Sequence, residues 1–217
     1  MKKILFCFLC LTLLISYSVP FLFSQEMGQI VITDIKKVDT GKKQEVEITI
    51  NDAIKIKEIE VTKIANRTVV KYPVYVSGAG RTYPQVKILT KQANDAILEA
   101  IDTGNVVKTK NVPEPKFEIT KFSPNKRTNS SRKVFASVTF NNAIEIECGI
   151  MEGVSKKTGK PYRFVSWPSR LDSATGEWVN QVVLKKSFKQ KVDDALLKRY
   201  ETFKKEGGGT SSEDEWE

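Results

Sequence analysis

The 217-residue chain contains no histidine. That removes the side chain most often used as a general base near neutral pH. Cysteine is scarce: of three, Cys7 and Cys10 fall in an apolar N-terminal stretch and only Cys148 lies beyond it. The spacing in CFLC is that of a redox or zinc pair, but both sulfurs sit inside a hydrophobic run, so neither chemistry is expected. One remaining cysteine closes no internal disulfide, so the fold does not depend on an oxidising compartment. Cys148 stands in the strand-like run Glu-Ile-Glu-Cys-Gly-Ile with no base beside it, and reads as a core or edge thiol. Glu145 and Glu147, two apart on that run, read as a solvated strand face rather than an acid/base pair. No zinc-ligand spacing, phosphate-cradling glycine loop or dinucleotide fingerprint occurs, and Gly78-Ala79-Gly80 reads as a turn. A chain that binds no cofactor or metal and is not an enzyme is therefore expected.

Both ends depart from the ordinary composition of the middle. Residues 1–24 read as a secretory signal peptide. Lys2 and Lys3 precede an apolar run over 4–15, Pro20 breaks it, and Leu22-Phe23-Ser24 offers a cleavage site that leaves Gln25 first. Two alternatives stay open. The apolar stretch reaches Phe23 and approaches the ~20 residues that span a bilayer, or translation starts at Met27. An exported protein, periplasmic or extracellular, follows from a real signal peptide, and a cytoplasmic one from a start at Met27. At the other end, residues 206–217 combine a glycine run with acids and read as a disordered tail.

The chain repeats itself. VEITINDAIKI (46–56) aligns with ASVTFNNAIEI (136–146), Ile32-Thr33 with Ile119-Thr120, and Tyr72-Pro73 with Trp167-Pro168. ANDAILEAI also aligns with KVDDALLKRY. The order of matches is the same throughout. Boundaries follow: a first domain over 28–103, a linker over 104–116 marked by Pro113 and Pro115, and a second domain over 117–205. Each half starts with a strand. A second strand alternates with period two, and Asn51-Asp52 or Asn141-Asn142 makes a tight turn into a third. A fourth strand carries the proline, which marks an edge, a bulge or the strand's end. A helix closes each half. Thr90 caps the first, with Ala93, Ala96, Ile97, Ala100 and Ile101 on its apolar stripe. Ser187 is the expected cap of the second, with Phe188, Val192, Ala195, Leu196, Arg199 and Phe203 at helical spacing. The fold class expected is α+β: two tandem small domains, each an antiparallel β-sheet with a C-terminal helix.

Charge is uneven. Residues 25–115 carry 14 basic and 12 acidic side chains, and residues 116–205 carry 19 and 9. The tail from Glu206 holds five acids and no base. An anionic partner is thus directed to the second half, and the tail could compete with it. The candidate contacts are Lys156, Lys157 and Lys160 in KKTGKP, then Arg163 and Arg170, then Lys185 and Lys186. Clustered cations hold phosphates through charge and counterion release. Tyr162, Trp167 and Trp178 could stack on bases.

The run FEITKFSP, ASVTFNNAIEI, RFVSWPSR and GEW, followed by a helix, resembles the SpoVG (stage V sporulation protein G, or septation protein) family. Phe164, Val165, Pro168, Ser169, Arg170, Gly176, Glu177 and Trp178 carry the resemblance over 117–200. The first half, about 30–101, keeps only Pro73 of the Pro-Ser-basic motif. The resemblance implies a small antiparallel sheet with a helix and a DNA- or RNA-binding regulator of cell septation and sporulation. It also implies a dimer, here an internal pseudo-dimer of the two repeats. Ser169 and Arg170 would then stand where the family contacts phosphate. The alternative is an exported module that uses the same basic face on a cell-envelope polyanion or a protein partner.

Overall fold

The structure is a computed structural model, and it describes residues 29–39, 44–65, 67–108, 111–127 and 129–206. The signal-peptide segment, Met27 and the tail beyond Glu206 lie outside the described residues. Among the described residues the fold is mixed: antiparallel sheets with two helices. In chain order the strands of the first half are β1 (Ile32–Asp39), β2 (Gln44–Ile50), β3 (Ile54–Ile64), β4 (Arg67–Lys71), β5 (Val74–Val76), β6 (Thr82–Pro84) and β7 (Val86–Ile88). Helix α1 (Lys91–Thr103) ends that half. The second half repeats the order with β8 (Phe117–Pro124), β9 (Arg132–Phe140), β10 (Ile144–Val154), β11 (Pro161–Ser166), β12 (Ser169–Leu171), β13 (Trp178–Asn180), β14 (Val182–Leu184) and α2 (Lys186–Lys205).

The two halves exchange strands. One sheet runs β1-β2-β3-β14, with β4 also on β3, and the other runs β11-β10-β9-β8, with β7 also on β10. Each sheet thus takes its last strand from the opposite half. Val182, Val183 and Leu184 pair with Ile56, Lys55 and Ile54, while Val86, Lys87 and Ile88 pair with Ile146, Glu145 and Ile144. Further backbone bonds continue both ladders reciprocally. Lys57 N donates to Gln181 O at 2.8 Å and Glu147 N to Gln85 O at 2.9 Å. Lys185 N donates to Ala53 O, and Leu89 N to Ala143 O. The chain reaches each exchange through a short hairpin arm, β5–β6 or β12–β13. The stretches around Tyr72-Pro73 and Trp167-Pro168 are the bases of these arms. Neither proline donates to a ladder, so β4 and β11 stop just before the pair, and the proline carbonyls accept from Gln85 N and Gln181 N.

The turns explain why the halves mirror each other. Asn51 and Asp52 have φ of 50° and 49°, and Asn141 and Asn142 have 50° and 53°. Two successive left-handed residues match the twist of the flanking strands, and Asn and Asp tolerate that region best. Asn51 is buried; its Oδ1 accepts from Val31 N and its Nδ2 donates to Pro113 O. Asn141 accepts from Lys116 N and donates to Gln29 O. Each turn thereby holds the entry to its own first strand and the approach to the other half's. The strand register departs from the sequence alignment in one place. Ile32 lies opposite Ile50 as Phe117 lies opposite Phe140. Thr33 and Thr120 are matched instead as bulge residues, two rungs apart on the ladder.

Thr90 caps α1 as expected, accepting from Ala93 N at 3.1 Å, and Ala93, Ile97, Ala100 and Ile101 are buried. The α2 expectation needs correction. Its N-cap is Lys185, with no side-chain cap bond, and Ser187 already lies within the helix. The buried stripe is Phe188, Val192, Leu196 and Tyr200. Arg199 is exposed and covers Phe122, its guanidinium carbon 5.0 Å from the ring centroid. Phe188 meets both Phe117 and Phe140 at about 6 Å between centroids, so α2 covers one face of the second sheet. Full burial of such a ring is worth ~2–3 kcal/mol. Buried residues of both halves join one core cluster, which follows from strands that cross. Among the described residues, no helix is long and apolar enough to cross a membrane.

Candidate nucleic-acid interface

The structure distributes the expected site residues over several elements. Lys156, Lys157 and Lys160 sit on the turn between β10 and β11, all exposed. Bonds from Ser155 N to Lys160 O and from Gly159 N to Ser155 O close that turn. Among the described residues these three lysines have no ion-pair partner. Arg163 faces the helix side instead. It pairs with Glu201 and, at 3.6 Å, with Glu152, and lies over Tyr200. It ties β11 to α2 and is not a free cation. Lys185 and Lys186 are exposed at the start of α2, where Lys185 shares a shallow groove with Lys55 and Lys57 of the first half. They therefore adjoin the other sheet.

Trp167 and Arg170 are not placed as expected, for a plain steric or electrostatic reason. Trp167 is 7% exposed, packs on Phe140 and donates its indole N–H to Asp193 Oδ1 at 2.9 Å. No ring face is left for a base. Arg170 stays 46% exposed, but its guanidinium is engaged: Nε is 2.9 and 2.8 Å from the two Glu58 oxygens and Nη2 is 2.8 Å from Oε1. Gln181 Nε2 donates to the same carboxylate. Glu58 holds Arg170 above its ordinary pKa. Ser169 beside it is half-buried on β12.

What remains open is the face of the second sheet turned away from α2. The alternation in β11 places Val165 inward, and Tyr162 and Phe164 outward at 51% and 45% exposure. Their rings stack, with centroids 6.0 Å apart and planes 17° from parallel. Tyr162 lies over Gly153, where an added Cβ would meet the ring at 2.9 Å. Arg132 likewise crosses Gly149 and lies over Phe135 at 5.3 Å. Glycines at these two β10 positions let a ring and a guanidinium lie flat on the strand. Arg132 and Phe135 were not singled out by sequence. Strand alternation was the available signal, since it puts Phe135 opposite in face to Val134 and Ala136.

A crevice opens where each arm crosses the other half's sheet. The one beneath β12–β13 has a volume of about 300 Å³ and is lined by Glu45, Glu60, Tyr72 and the Glu58–Arg170 pair. The one beneath β5–β6 is larger, about 570 Å³. Tyr75 and Tyr83, 6.2 Å apart, supply its arm side, and Phe135 and Arg132 its sheet side. Lys121 and Arg127 add charge at its rim. Glu147, also in its lining, lies 4.0 Å from Lys121 and 3.8 Å from Lys87. Lys87 is held above its ordinary pKa chiefly by its hydrogen bond to Glu145, with which it is paired across the ladder. Burial pushes the Cys148 thiol in this crevice up to about 12, further raised by Asp193 and opposed by Arg132. It is a protonated, inert sulfur. Among the described residues, no three His, Cys, Asp or Glu side chains are grouped to hold a metal. No protein-family model, curated protein or solved structure matches the chain.

Proposed function

We propose that the protein is a non-enzymatic, SpoVG-like regulator that binds single-stranded nucleic acid on the open face of its second sheet. Its two repeats act as an internal pseudo-dimer, the first serving as structural partner. The observation that carries this reading is the stacked, exposed pair Tyr162–Phe164 beside three unpaired lysines. Aromatic faces stack on successive bases while lysines follow the phosphates, a combination tolerant of sequence. A sheet face with two outward rings is also a recurring platform for unpaired RNA bases. The association with septation and sporulation rests on the family resemblance alone. Arg170 supports the crossing rather than the contact.

The test is a titration of a labelled dodecanucleotide into the full chain and into Lys156→Glu/Lys160→Glu. The double variant should weaken binding at least tenfold and flatten the logarithmic salt slope by about 1.4, two phosphates at ~0.7 each. Tyr162→Ala should weaken it with the salt slope unchanged, by ~1–3 kcal/mol. Affinity unaltered in both variants would remove the open face as the binding surface. The signal-like segment favours a second reading, in which the same face holds a cell-envelope polyanion. Intact mass of the protein from its native cells decides between them: a start at Gln25 places it outside the cytoplasm, and a start at Met27 or Gly28 inside.

A further inference from the structure

The crevice beneath the β5–β6 arm has the size and chemistry of a ligand site. Its volume, about 570 Å³, falls within the range of small-molecule pockets. Aromatic rings line both of its sides, Tyr75 and Tyr83 from the arm and Phe135 from β9. Two arginines, Arg127 and Arg132, line it without an ion-pair partner among the described residues, whereas Glu147 is already balanced by two lysines. The least expected feature is Gln85. Its backbone is fully used in the crossing, N–H to Pro73 and C=O from Glu147, yet its side-chain Oε1 is buried without a hydrogen-bond partner among the described residues. A buried acceptor left unpaired is costly, and such groups mark places where a missing partner binds.

We infer that this crevice takes one nucleobase together with its phosphate. The flat base enters between the tyrosines and Phe135, the Gln85 side chain turns from its buried position so that Oε1 accepts from an exocyclic amino group, and the phosphate rests on Arg132 and Arg127. Adenine and cytosine carry an amino group on the edge that faces away from the sugar; uracil has a carbonyl oxygen there and leaves Gln85 unpaired. The same chemistry is met by a free nucleotide and by one unstacked unit of a strand. The strand version rests on the function proposed above; the free-nucleotide version does not.

Calorimetric titration of the full chain with 5′-AMP, 5′-CMP, 5′-UMP and inorganic phosphate tests the pocket, and oligo(dA) binding tests the source. AMP and CMP should bind about 3–10-fold tighter than UMP, the worth of one hydrogen bond. Arg132→Ala should weaken AMP by ~10-fold or more. Gln85→Met should bring AMP and UMP together while the unfolding midpoint holds or rises, because an unpaired buried acceptor is gone. A purely structural Gln85 would lower the midpoint instead. If AMP binds and oligo(dA) does not, the pocket stands for free nucleotides and the open-face reading falls. If only oligo(dA) binds, and Gln85→Met or Tyr83→Ala weakens it, the pocket holds one unit of a strand. Phosphate binding as tightly as AMP, or no nucleotide binding together with oligonucleotide affinity indifferent to Tyr83 and Gln85, overturns the proposal, the second outcome without touching the lysine face.

Discussion

The two crevices stand in matching places, each where a hairpin arm crosses the opposite sheet, and they have diverged in content. Counting from the shared proline, Arg170 on β12 occupies the place of Tyr75 on β5. On the sheet below, Glu45 answers Phe135. Glu58 has no counterpart, since it is the extra residue of a bulge in β3, where pairing skips from Val46–Ile59 to Ile48–Ile56. Its φ is 56°, a left-handed conformation that costs a non-glycine residue ~1–2 kcal/mol. That bulge aims a carboxylate at the arm, and Arg170 and Gln181 converge on it. The other crevice has no bulge there, and its one acid, Glu147, is held by Lys87 and Lys121, so rings and arginines without an ion-pair partner among the described residues line an open space. One inserted residue therefore separates a latch from a pocket.

The largest effects should come from the core residues behind the two crevices. Trp167 and Tyr72 are equivalent in the repeat, but among the described residues only the tryptophan has its polar atom satisfied, by Asp193; the Tyr72 hydroxyl is buried without a partner there. Trp167→Ala should cost ~3–5 kcal/mol by cavity formation. Tyr72→Phe should gain up to about 1 kcal/mol by deleting a desolvated hydroxyl. Urea unfolding midpoints measure both, and a destabilised Tyr72→Phe would mean that its hydroxyl has a partner in solution.

A pH effect of intermediate size separates the crevices again. In the open one, the folded Cys148 keeps its proton up to about 12, whereas an unfolded thiol releases it near ~8.5. A folded pKa above the unfolded one favours the unfolded chain as pH rises. Stability should thus be unaffected below ~8.5 and fall by about 1.4 kcal/mol per pH unit from there towards the folded value. Burial raises the Tyr72 hydroxyl in the closed crevice as well, adding a second decline above its ordinary value of ~10. Cys148→Ala should remove the first slope and Tyr72→Phe the second. Equal slopes in Cys148→Ala and the parent chain between pH 9 and 10 would show a thiol that titrates while folded.

Local signals carried a large part of this architecture. Paired Asn and Asp residues announced the two turns because few other side chains accept φ near +50°. Thr90 announced a cap three residues before Ala93, and period-two alternation placed the longer strands. The crossing itself was not legible. VKI and VVL are three-residue strands whose alternation says that they pair, and nothing in it names the sheet. Arg170 looks like a free cation in the sequence because its partner, Glu58, lies 112 residues away. Trp167 looks like a stacking face because an aromatic beside a basic motif reads the same whether buried, as here, or bare. Lysines 156, 157 and 160 were legible, being close together on one turn, whereas the pocket draws Tyr75 from β5, Gln85 from the link between β6 and β7, and Arg132 and Phe135 from β9.

The smallest expected effect tests what keeps one crevice shut. Glu58 and Arg170 are both partly exposed, so solvent screens the pair, and a double-mutant cycle with Glu58→Ala and Arg170→Ala should give a coupling of ~0.5–1 kcal/mol that shrinks in high salt. Additive single effects would mean that the contact contributes only geometry. Backbone strain supplies the finer comparison. Glu58→Gly removes the same carboxylate as Glu58→Ala but relaxes a positive φ, so it should be the less damaging of the two by about 1 kcal/mol. If alanine and glycine prove equal, the left-handed turn at residue 58 carries no strain. The latch would then rest on charge alone, and a second Glu on an unbulged strand could have closed the other crevice as well.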